Sequence, residues 1–298
     1  MRKLIYTPSI NKALREMAKP FSGFIPEKYK FPVTGAITVK TPTGEEFLLR
    51  CNPTSYVAKR VFWDGMSGFE SSMTELFIRL VRQSAMFLDV GANIGYYSLL
   101  AAAVNPEVRV VGFEPVPSPY TYFKSSVSLN GFDSITVEQL AVSNEEGDVE
   151  FHFSKNPKFI DIEKHHLTST GSLNKAQANR TDLLELVQVK SVTLDGYIAK
   201  NQLPKIDLVK LDTEATEHLV LAGSWTMLSR DKPVIFCEVL PGKVEKEIER
   251  MFKEHGYLLY RLDPDQTVQV DQIAHSTSST NDHLMIHPDR LGEVEGVL

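Results

Sequence analysis

The sequence predicts an α/β fold in which helices cover both faces of a mostly parallel β-sheet. From about residue 70 onward, short apolar runs alternate with longer segments of helical periodicity, as in parallel sheets with helical crossovers. The run Met86–Val90 is followed by a glycine turn and a helical segment, and Val110–Glu114 is a second apolar run that ends in an acid. Both runs therefore predict strands buried inside the sheet.

Residues 1–69 precede this pattern and predict an N-terminal extension built around a β-hairpin. Ala36–Lys40 and Glu46–Arg50 are strand-like and flank the turn-forming residues Thr41–Gly44. We expect the extension to pack on the main domain, residues 70–298, as a cap or as the contact between two copies in a homodimer.

The first residues of the extension are basic and contain a short amphipathic segment. Ile10, Leu14 and Met17 fall at helical spacing, which would suit contact with an anionic membrane surface. A short helix docked on the domain explains the same spacing, and we favour that interpretation because the stretch is short. Since there is neither a signal-peptide core nor an apolar run long enough to span a bilayer, we expect a cytoplasmic protein.

The main domain is expected to alternate strands and helices in a fixed order. Strands are expected at 86–90, 109–114, 135–140, 206–211 and 233–239, with two closing strands at 256–262 and 283–287. Helices are expected near 70–82, 95–104, 117–130, 193–201, 214–228 and 243–255, and a further strand-like pair at 148–153 and 187–192. Two polar segments, 154–181 and 263–282, are typical of loops over a site, the first on the C-terminal side of the sheet.

The turn after the first of these strands indicates the type of cofactor. Asn93 stands where a dinucleotide site needs its middle glycine, and Asp89 would repel a phosphate. An acid here suits a cofactor with a cationic ammonium group, such as S-adenosylmethionine. We therefore expect Asp89, Gly91, Asn93 and Gly95 to form the methionine end of the pocket, the glycines allowing close approach to the ligand. The alternative is that Asp89 only caps the next helix.

The remaining cofactor contacts are expected at the ends of the next two strands. Glu114 ends the second strand, where a carboxylate can accept both hydroxyls of a ribose. Ala141 and Val142 lie just past the third strand, where the backbone can meet the adenine edge. Asn130 is a weaker candidate for adenine.

An ordered set of motifs extends this pattern along the chain. Asp-Val-Gly-Ala-Asn-Ile-Gly at 89–95 resembles motif I of class I S-adenosylmethionine-dependent methyltransferases, and specifically the FkbM family. The resemblance continues at 113–115, 140–143, 192–195, 210–214 with Glu217, and 235–238. It covers roughly residues 70–288 of the sequence.

The resemblance implies the fold, the activity and one more cofactor contact. It implies a Rossmann-like class I methyltransferase sheet of seven strands, with the last strand inserted antiparallel between its neighbours. It implies methyl transfer to a hydroxyl of a polyketide-type natural product, a sugar or a glycan, with S-adenosylhomocysteine as product. Glu75 resembles a family position that faces the cofactor; an exposed helix acid is the alternative.

One departure from the family pattern concerns the fourth motif, usually Asp-x-Glu-Gly-x-Glu. Ala215 replaces the glycine here. Alanine is the better helix former by about 0.8–1 kcal/mol, but it would strain a position that needs a positive φ. We expect the acids to keep their places and the alanine to be tolerated.

Methyl transfer to an alcohol needs a base beside the acceptor, because the pKa of an alcohol lies far above neutrality. Asp212 ends the fourth strand, where the transferred methyl group should lie. The candidates for the base are Glu214 and three histidines, His165, His166 and His218. Glu238 is expected to line the acceptor pocket and Asp195 to cap its own helix.

The acids around Asp212 also leave a divalent metal as an alternative, although the sequence shows no clear ligand set and we predict no metal site. The net charge of −6 argues against nucleic acid as a partner, so we expect a small-molecule or glycan acceptor. The two cysteines, Cys51 and Cys237, are expected to be reduced. A non-catalytic cofactor-binding module and, less favoured, a nucleotide-dependent oxidoreductase remain alternatives, and an N-methyltransferase stays open.

Overall fold

The N-terminal segment folds into helices and a hairpin. A computed structural model describes residues 2–155, 157–159, 165–167, 171–173, 184–273 and 281–294. In order, the segment contains α1 (Arg2–Ile5), α2 (Pro8–Ala18), β1 (Gly35–Lys40), β2 (Glu46–Cys51) and α3 (Tyr56–Asp64). The antiparallel pairing of β1 with β2, from Gly35 opposite Cys51 to Lys40 opposite Glu46, confirms the hairpin.

The rest of the chain alternates helices and strands. Its first part contains α4 (Ser71–Val81), β3 (Met86–Val90), α5 (Tyr96–Val104), β4 (Arg109–Phe113), α6 (Pro117–Asn130) and β5 (Ile135–Glu138). The middle contains β6 (Ala141–Val142), β7 (Gly147–Ser154), β8 (Gly171–Ser172), β9 (Leu184–Val192), α7 (Leu194–Lys200) and β10 (Leu208–Leu211). The last part contains α8 (Glu217–Ala222), α9 (Trp225–Arg230), β11 (Val234–Glu238), α10 (Glu245–Glu254), β12 (Leu258–Asp263), β13 (Gln266–Val270), β14 (Asp282–Ile286) and α11 (Leu291–Val294).

The main sheet has the strand order β13-β12-β14-β11-β10-β3-β4-β5. Strands β11, β10, β3, β4 and β5 are parallel, and β14 pairs antiparallel with both β11 and β12. The expected insertion of the last strand is thus confirmed. Every residue of β3 and β10 is buried, which explains why these strands are apolar without alternation.

The sheet has eight strands, so the expected count of seven is wrong. The eighth, β13, lies in the segment 263–282 that was expected to be a loop. It pairs antiparallel with β12 through the two-residue turn Pro264–Asp265, with Asp263 opposite Gln266. The turn residues and the β-branched residues after them are typical of a hairpin. The many polar residues of the segment nevertheless favoured the prediction of a loop. Residues 274–280 lie outside the described part of the chain.

A second sheet of order β6-β9-β7-β8 stands beside the first. Its main pairing joins β7 and β9 antiparallel, from Gly147 opposite Ser191 to Ser154 opposite Leu184, which confirms the strand-like pair. The strand expected at 135–140 is shorter, because β5 ends at Glu138; beyond the expected range, Ala141–Val142 pairs with β9 in the second sheet. Most of the polar segment expected to be a loop at 154–181 lies outside the described residues.

The helix expected at 214–228 is also divided, into α8 and α9. Between them Gly223 brings the chain close to Ser143, since a Cβ at Gly223 would lie 2.3 Å from the Ser143 carbonyl oxygen. Asp195 accepts hydrogen bonds from the backbone N–H groups of Thr226 and Met227 in α9, at 2.7 and 2.9 Å. It therefore caps α9 rather than its own helix, which Thr193 caps.

The hairpin shares its core with the main domain. Phe47 and Leu49 of β2 belong to the same buried cluster as Phe77 of α4 and Phe87 of β3. At the edge of the hairpin, Asn130 donates to the carbonyl of Leu48 and accepts from its N–H, both at 2.7 Å. Asn130 thus anchors the hairpin to α6 and is not an adenine contact. Within the described part of the chain, every helix is too short or too polar to cross a bilayer.

Candidate active site

A cavity of about 390 Å³ lies at the C-terminal ends of β3, β4 and β10. Carboxylates and one ammonium group dominate its charged lining among the described residues: Glu70, Asp89, Glu114, Lys210, Asp212, Glu214 and Glu238. A cavity of this size at this edge of a parallel sheet is the usual place for a small ligand.

The glycines of the turn after β3 serve contacts within the protein. Gly91 has a φ of +83°, and a Cβ there would lie 1.8 Å from the backbone oxygen of Asp212. Gly95 has the same φ, and its Cβ would lie 2.0 Å from the ring of Phe123. Gly91 lines the cavity but Gly95 does not, so the position of Gly95 does not support its expected contact with the ligand. The turn needs glycine because other chain segments pack against it.

Asp89 is buried at the end of β3 and also lines the cavity. Its Oδ2 accepts hydrogen bonds from the backbone N–H of Ser98 at 3.1 Å and from the Ser98 hydroxyl at 2.6 Å. Burial raises the pKa of Asp89, partly offset by Lys210. The carboxylate therefore caps the first turn of α5 and borders the cavity at the same time.

Glu114 joins two neighbouring turns of the cavity wall. Its Oε2 accepts from the N–H of Asn93, and its Oε1 accepts from the N–H of Val116, both at 2.8 Å. Asn93 itself has a φ of +52° and lines the cavity. Burial raises the pKa of Glu114 to about 7. Ala141 and Val142 line the same cavity, as expected.

Lys210 places a positive charge at the centre of the acids. Its Nζ lies 2.8 Å from Oδ2 of Asp212 and 4.9 Å from the ring centroid of Tyr97. Burial lowers the pKa of Lys210, but Asp212, Glu70 and Asp89 outweigh burial and hold it above its usual value. The ammonium group therefore stays charged although it is buried. A lysine within an otherwise apolar strand is the sequence signal for this residue, and the predicted site does not include it.

Asp212 and Glu238 form a carboxyl pair on adjacent strands. The register places Leu211 opposite Cys237, so the two acids that follow are neighbours, and they share a hydrogen bond. Burial raises the pKa of Asp212, yet Lys210 outweighs burial and the pKa is lowered. Burial and the charge of Asp212 raise the pKa of Glu238 to about 10. Asp212 is therefore ionised and Glu238 holds the proton between them.

The loop after Asp212 contains two left-handed residues. Glu214 has a φ of +54° and Ala215 a φ of +69°, so the family glycine position does require a positive φ in this chain. A left-handed alanine costs roughly 1–2 kcal/mol. Glu217 offsets part of this cost, because its Oε1 accepts from the N–H and the hydroxyl of Thr213 at 2.7 and 3.0 Å. Glu214 lines the cavity, whereas the buried Glu217 holds the loop.

Besides Gly95, four of the expected site residues lie away from the cavity. Glu75 is exposed on α4, and the acid that reaches the cavity is Glu70, the residue just before α4. Tyr97 donates a hydrogen bond to Glu70 at 2.8 Å, and burial raises the pKa of Glu70 to about 8. Helical spacing could not identify Glu70 as a cavity residue, because Glu70 precedes the helix and has a left-handed φ of +44°.

The three histidines do not line the cavity. His165 is exposed and His166 is buried, in a segment tied to the N-terminal extension through the side chain of Asn52. His218 is half-buried on α8, where burial lowers its pKa and Glu247 of α10 opposes that effect. The expectation that one of these histidines acts as the base is therefore not supported by their positions.

The N-terminal extension contributes part of the cavity wall. Tyr56, Val57, Gly68 and Phe69 line it, and Tyr56 is 58% exposed, so it lies at the rim. The sequence alone predicts no chemistry for this segment. Among the described residues, no three histidine, cysteine or carboxylate side chains are placed so that they could hold a metal ion together.

Comparisons with known proteins agree with the geometry. The chain is 29% identical over 158 residues to the 31-O-demethyl-FK506 methyltransferase FkbM of Streptomyces tacrolimicus, a match that covers 48% of this chain and 60% of that relative. It is 22% identical over 181 residues to the 2-O-methyltransferase NoeI of Sinorhizobium fredii, covering 58% of this chain and 72% of that relative.

Among solved structures, the methyltransferase FkbM of Methylobacillus flagellatus KT aligns with a TM-score of 0.44 and 15% identity, over 68% of this chain and 44% of that chain. The model of the methyltransferase FkbM domain matches residues 89–259. Because that match covers more than half of the sequence and includes Asp89 near the end of β3 and Glu114 just after β4, the chain belongs to the FkbM methyltransferase family.

Proposed function

We propose that this protein is an S-adenosylmethionine-dependent O-methyltransferase that acts on a hydroxyl of a sugar, a glycan or a polyketide-type natural product. The observation that carries the proposal is the meeting of Asp89, Glu114 and Asp212 in one cavity. Each lies at the end of a different parallel strand. Their carboxyl groups suit the ammonium group of the cofactor, the ribose hydroxyls and the proton of the acceptor, respectively.

The cavity residues fit the cofactor. A carboxylate offers about four acceptor positions, so Glu114 keeps acceptor capacity for ribose hydroxyls after binding two backbone N–H groups. Asp89 likewise keeps capacity for the ammonium group of the methionine end. Ala141 and Val142 would border the adenine. When bound, S-adenosylmethionine supplies an electrophilic methyl group on a positively charged sulfur.

Asp212 is the base in this proposal. It is ionised beside Lys210, and it would take the proton of the acceptor hydroxyl when the methyl group of the bound cofactor passes from sulfur to the hydroxyl oxygen, which leaves neutral S-adenosylhomocysteine. Glu238 donates a hydrogen bond to Asp212 and thereby holds its carboxylate in place. Glu214, on the left-handed loop, would accept a hydrogen bond from a second hydroxyl of the acceptor.

The acceptor class is supported by the cavity wall and by the relatives. Tyr56, Phe69 and Phe151 provide aromatic surface, which packs well against the faces of sugar and macrocycle rings. The names of two relatives, the 31-O-demethyl-FK506 methyltransferase FkbM and the 2-O-methyltransferase NoeI, specify transfer to oxygen. The names of the relatives favour a hydroxyl acceptor, and the aromatic wall favours an acceptor that is partly apolar.

Calorimetric titration with S-adenosylmethionine, S-adenosylhomocysteine and NAD tests the cofactor part. We expect micromolar binding of both sulfur nucleotides and none of NAD. Binding of NAD alone would favour the oxidoreductase alternative and contradict the proposal.

The Asp212→Asn variant tests the catalytic part, with the first acceptor found in a panel of sugars and polyketides. Loss of a general base should lower kcat by about 10²–10⁴-fold, while the Kd of S-adenosylmethionine changes little. Glu75→Gln is the matched control, because Glu75 is an exposed acid outside the cavity. Full activity of Asp212→Asn would remove this residue from the reaction centre.

A non-catalytic cofactor-binding module is the second candidate, and the left-handed Ala215 is the observation that favours it. A strained loop beside Asp212 could prevent alignment of the acceptor while leaving the cofactor half intact. Tight binding of S-adenosylmethionine without turnover of any hydroxyl in the panel would support this candidate.

A further inference from the structure

Large apolar side chains are concentrated on the surface of the first 24 residues. They belong to α1, α2 and the 3₁₀ turn Lys19–Phe24, and we call them the N-terminal apolar face: Leu4, Ile10, Leu14, Met17, Phe21 and Phe24. Phe24 is 88% exposed and Met17 is 74% exposed. Single exposed apolar residues are common, but six large ones between Leu4 and Phe24 are a concentration that fits an interaction surface.

Helix α2 docks through its polar residues and leaves its apolar residues partly exposed, from 38% at Ile10 to 74% at Met17. Asn11 donates to the carbonyls of Ile5 and Pro32, both at 3.1 Å, and Arg15 donates to the carbonyl of Thr34 at 2.9 Å. Both polar side chains are buried. In an ordinary surface helix the apolar stripe faces the core, and here it does not. Docking of α2 therefore does not account for its apolar residues.

The charge of this segment differs in sign from that of the rest of the protein. The first 30 residues contain seven basic and two acidic side chains, a net charge of +5, whereas the whole chain carries −6. Lys12 and Lys28 are exposed in this segment. Apolar side chains beside basic ones are the composition of helices that lie in the interface of an anionic bilayer.

A second copy of the chain fits this face less well. A symmetric dimer would place the same face of both copies together, because a two-fold interface uses one patch twice. The basic residues of the two copies would then oppose each other. An anionic lipid surface has no such repulsion.

The face also lies next to the segment that borders the cavity. The ring of Tyr6, between α1 and α2, packs edge-on against Phe159 with centroids 6.0 Å apart. Phe159 follows β7, and Phe151 of β7 lines the cavity. A surface that binds this face would therefore be near the elements that form one side of the cavity.

We propose that the N-terminal apolar face binds the surface of a bilayer that contains anionic phospholipid, with the aromatic side chains in the headgroup region and the lysines at the lipid phosphates. This inference is independent of the methyl-transfer proposal. It needs neither cofactor nor acceptor.

Flotation of the full-length protein with vesicles tests it, using phosphatidylcholine alone or with about 30% phosphatidylserine. We expect binding to the mixed vesicles to exceed binding to phosphatidylcholine by about 25-fold, since each of the two exposed lysines contributes about fivefold near the surface. Phe21→Ser with Phe24→Ser should reduce binding about tenfold or more through lost apolar burial. Lys12→Glu with Lys28→Glu should reduce it similarly.

Matched controls use residues that are exposed elsewhere. Leu129→Ser with Leu186→Ser changes two exposed leucines outside the face, and Lys200→Glu with Lys205→Glu changes two exposed lysines. Both control proteins should bind like the wild type, and all variants should keep the wild-type melting temperature because the altered side chains are on the surface. Equal binding to both vesicle types, or equal loss in controls and face variants, would overturn the proposal. A dimer in gel filtration that Phe21→Ser with Phe24→Ser dissociates would replace it with self-association.

Discussion

The turn after β3 and the loop after β10 meet at one backbone contact, yet they achieve their conformations in different ways. The β3 turn uses glycine at two left-handed positions, and Glu114 binds the N–H of its left-handed Asn93. The β10 loop places Glu214 and Ala215 in the same left-handed region without a glycine, and Glu217 holds it. The turn after β3, proposed to bind the cofactor, is unstrained because glycine and asparagine tolerate its left-handed conformations. The loop after β10, proposed to bind the acceptor, carries backbone strain beside the reacting groups.

The largest effect expected from this comparison is that of Gly91→Ala. A Cβ would meet the backbone oxygen of Asp212, which cannot move without shifting the loop, and it would add a left-handed alanine. We expect a loss of about 2–5 kcal/mol in the free energy of unfolding, measured by urea denaturation. Gly44→Ala is the matched control, since Gly44 has a φ of +103° but no atom near its Cβ. Equal losses in both variants would show that the contact with Asp212 is unimportant.

Glu114→Ala should have the next largest effect, on cofactor binding. Loss of a charged acceptor for the ribose should weaken binding of S-adenosylmethionine by about 1.5–3 kcal/mol in calorimetry. A urea titration of the same variant shows how much stability is lost with the Asn93 and Val116 hydrogen bonds. Glu75→Ala should bind like the wild type. Unchanged affinity of Glu114→Ala would place the ribose elsewhere.

The pH dependence of cofactor binding should be the third effect. Burial raises the pKa of Glu114 to about 7 and of Glu70 to about 8, so both are partly protonated near neutral pH in the free protein. A positively charged sulfonium favours the ionised forms of both carboxyl groups, so binding of S-adenosylmethionine should release protons. The affinity for S-adenosylmethionine should therefore rise between about pH 6 and 8, by at most about tenfold per pH unit for each proton released.

Calorimetry in two buffers of different ionisation enthalpy measures this proton release directly. S-adenosylhomocysteine is the matched control, because it lacks the sulfonium charge and should release fewer protons. Uptake of protons, or the same release with both nucleotides, would mean that these carboxyl groups do not sense the cofactor's charge.

Ala215→Gly should have the smallest effect and the opposite sign. Glycine relieves the left-handed strain, and we expect a gain of about 1 kcal/mol in the free energy of unfolding. The same substitution at Ala103, a helical alanine of α5, should be destabilising by a similar amount. If Ala215→Gly also raises kcat, the strain limits turnover; a loss of stability would show that the loop tolerates the alanine without cost.

The parallel strands of the main sheet could be predicted from the sequence because the pattern that identifies each of them is local. Buried parallel strands are continuous apolar runs, and the acids at the ends of β3, β4 and β10 are fixed by their place after those runs. The eighth strand, β13, was not predicted because a polar hairpin at the edge of a sheet has the amino-acid composition of a loop. Glu70 and Lys210 escaped because their importance comes from contacts across the fold, to Tyr97 and Asp212, which no spacing along the chain reveals. The histidines were chosen by their chemistry, and only packing could show that they lie away from the cavity.

The segment Tyr56–Phe69 supplies one wall of the cavity, and it lies before residue 89, where the family match begins. The groups proposed to bind the methyl donor and the groups at the rim are thus encoded in separate stretches of the gene. Exchange of the upstream stretch between related proteins would reshape the rim while the strand-end acids stayed unchanged.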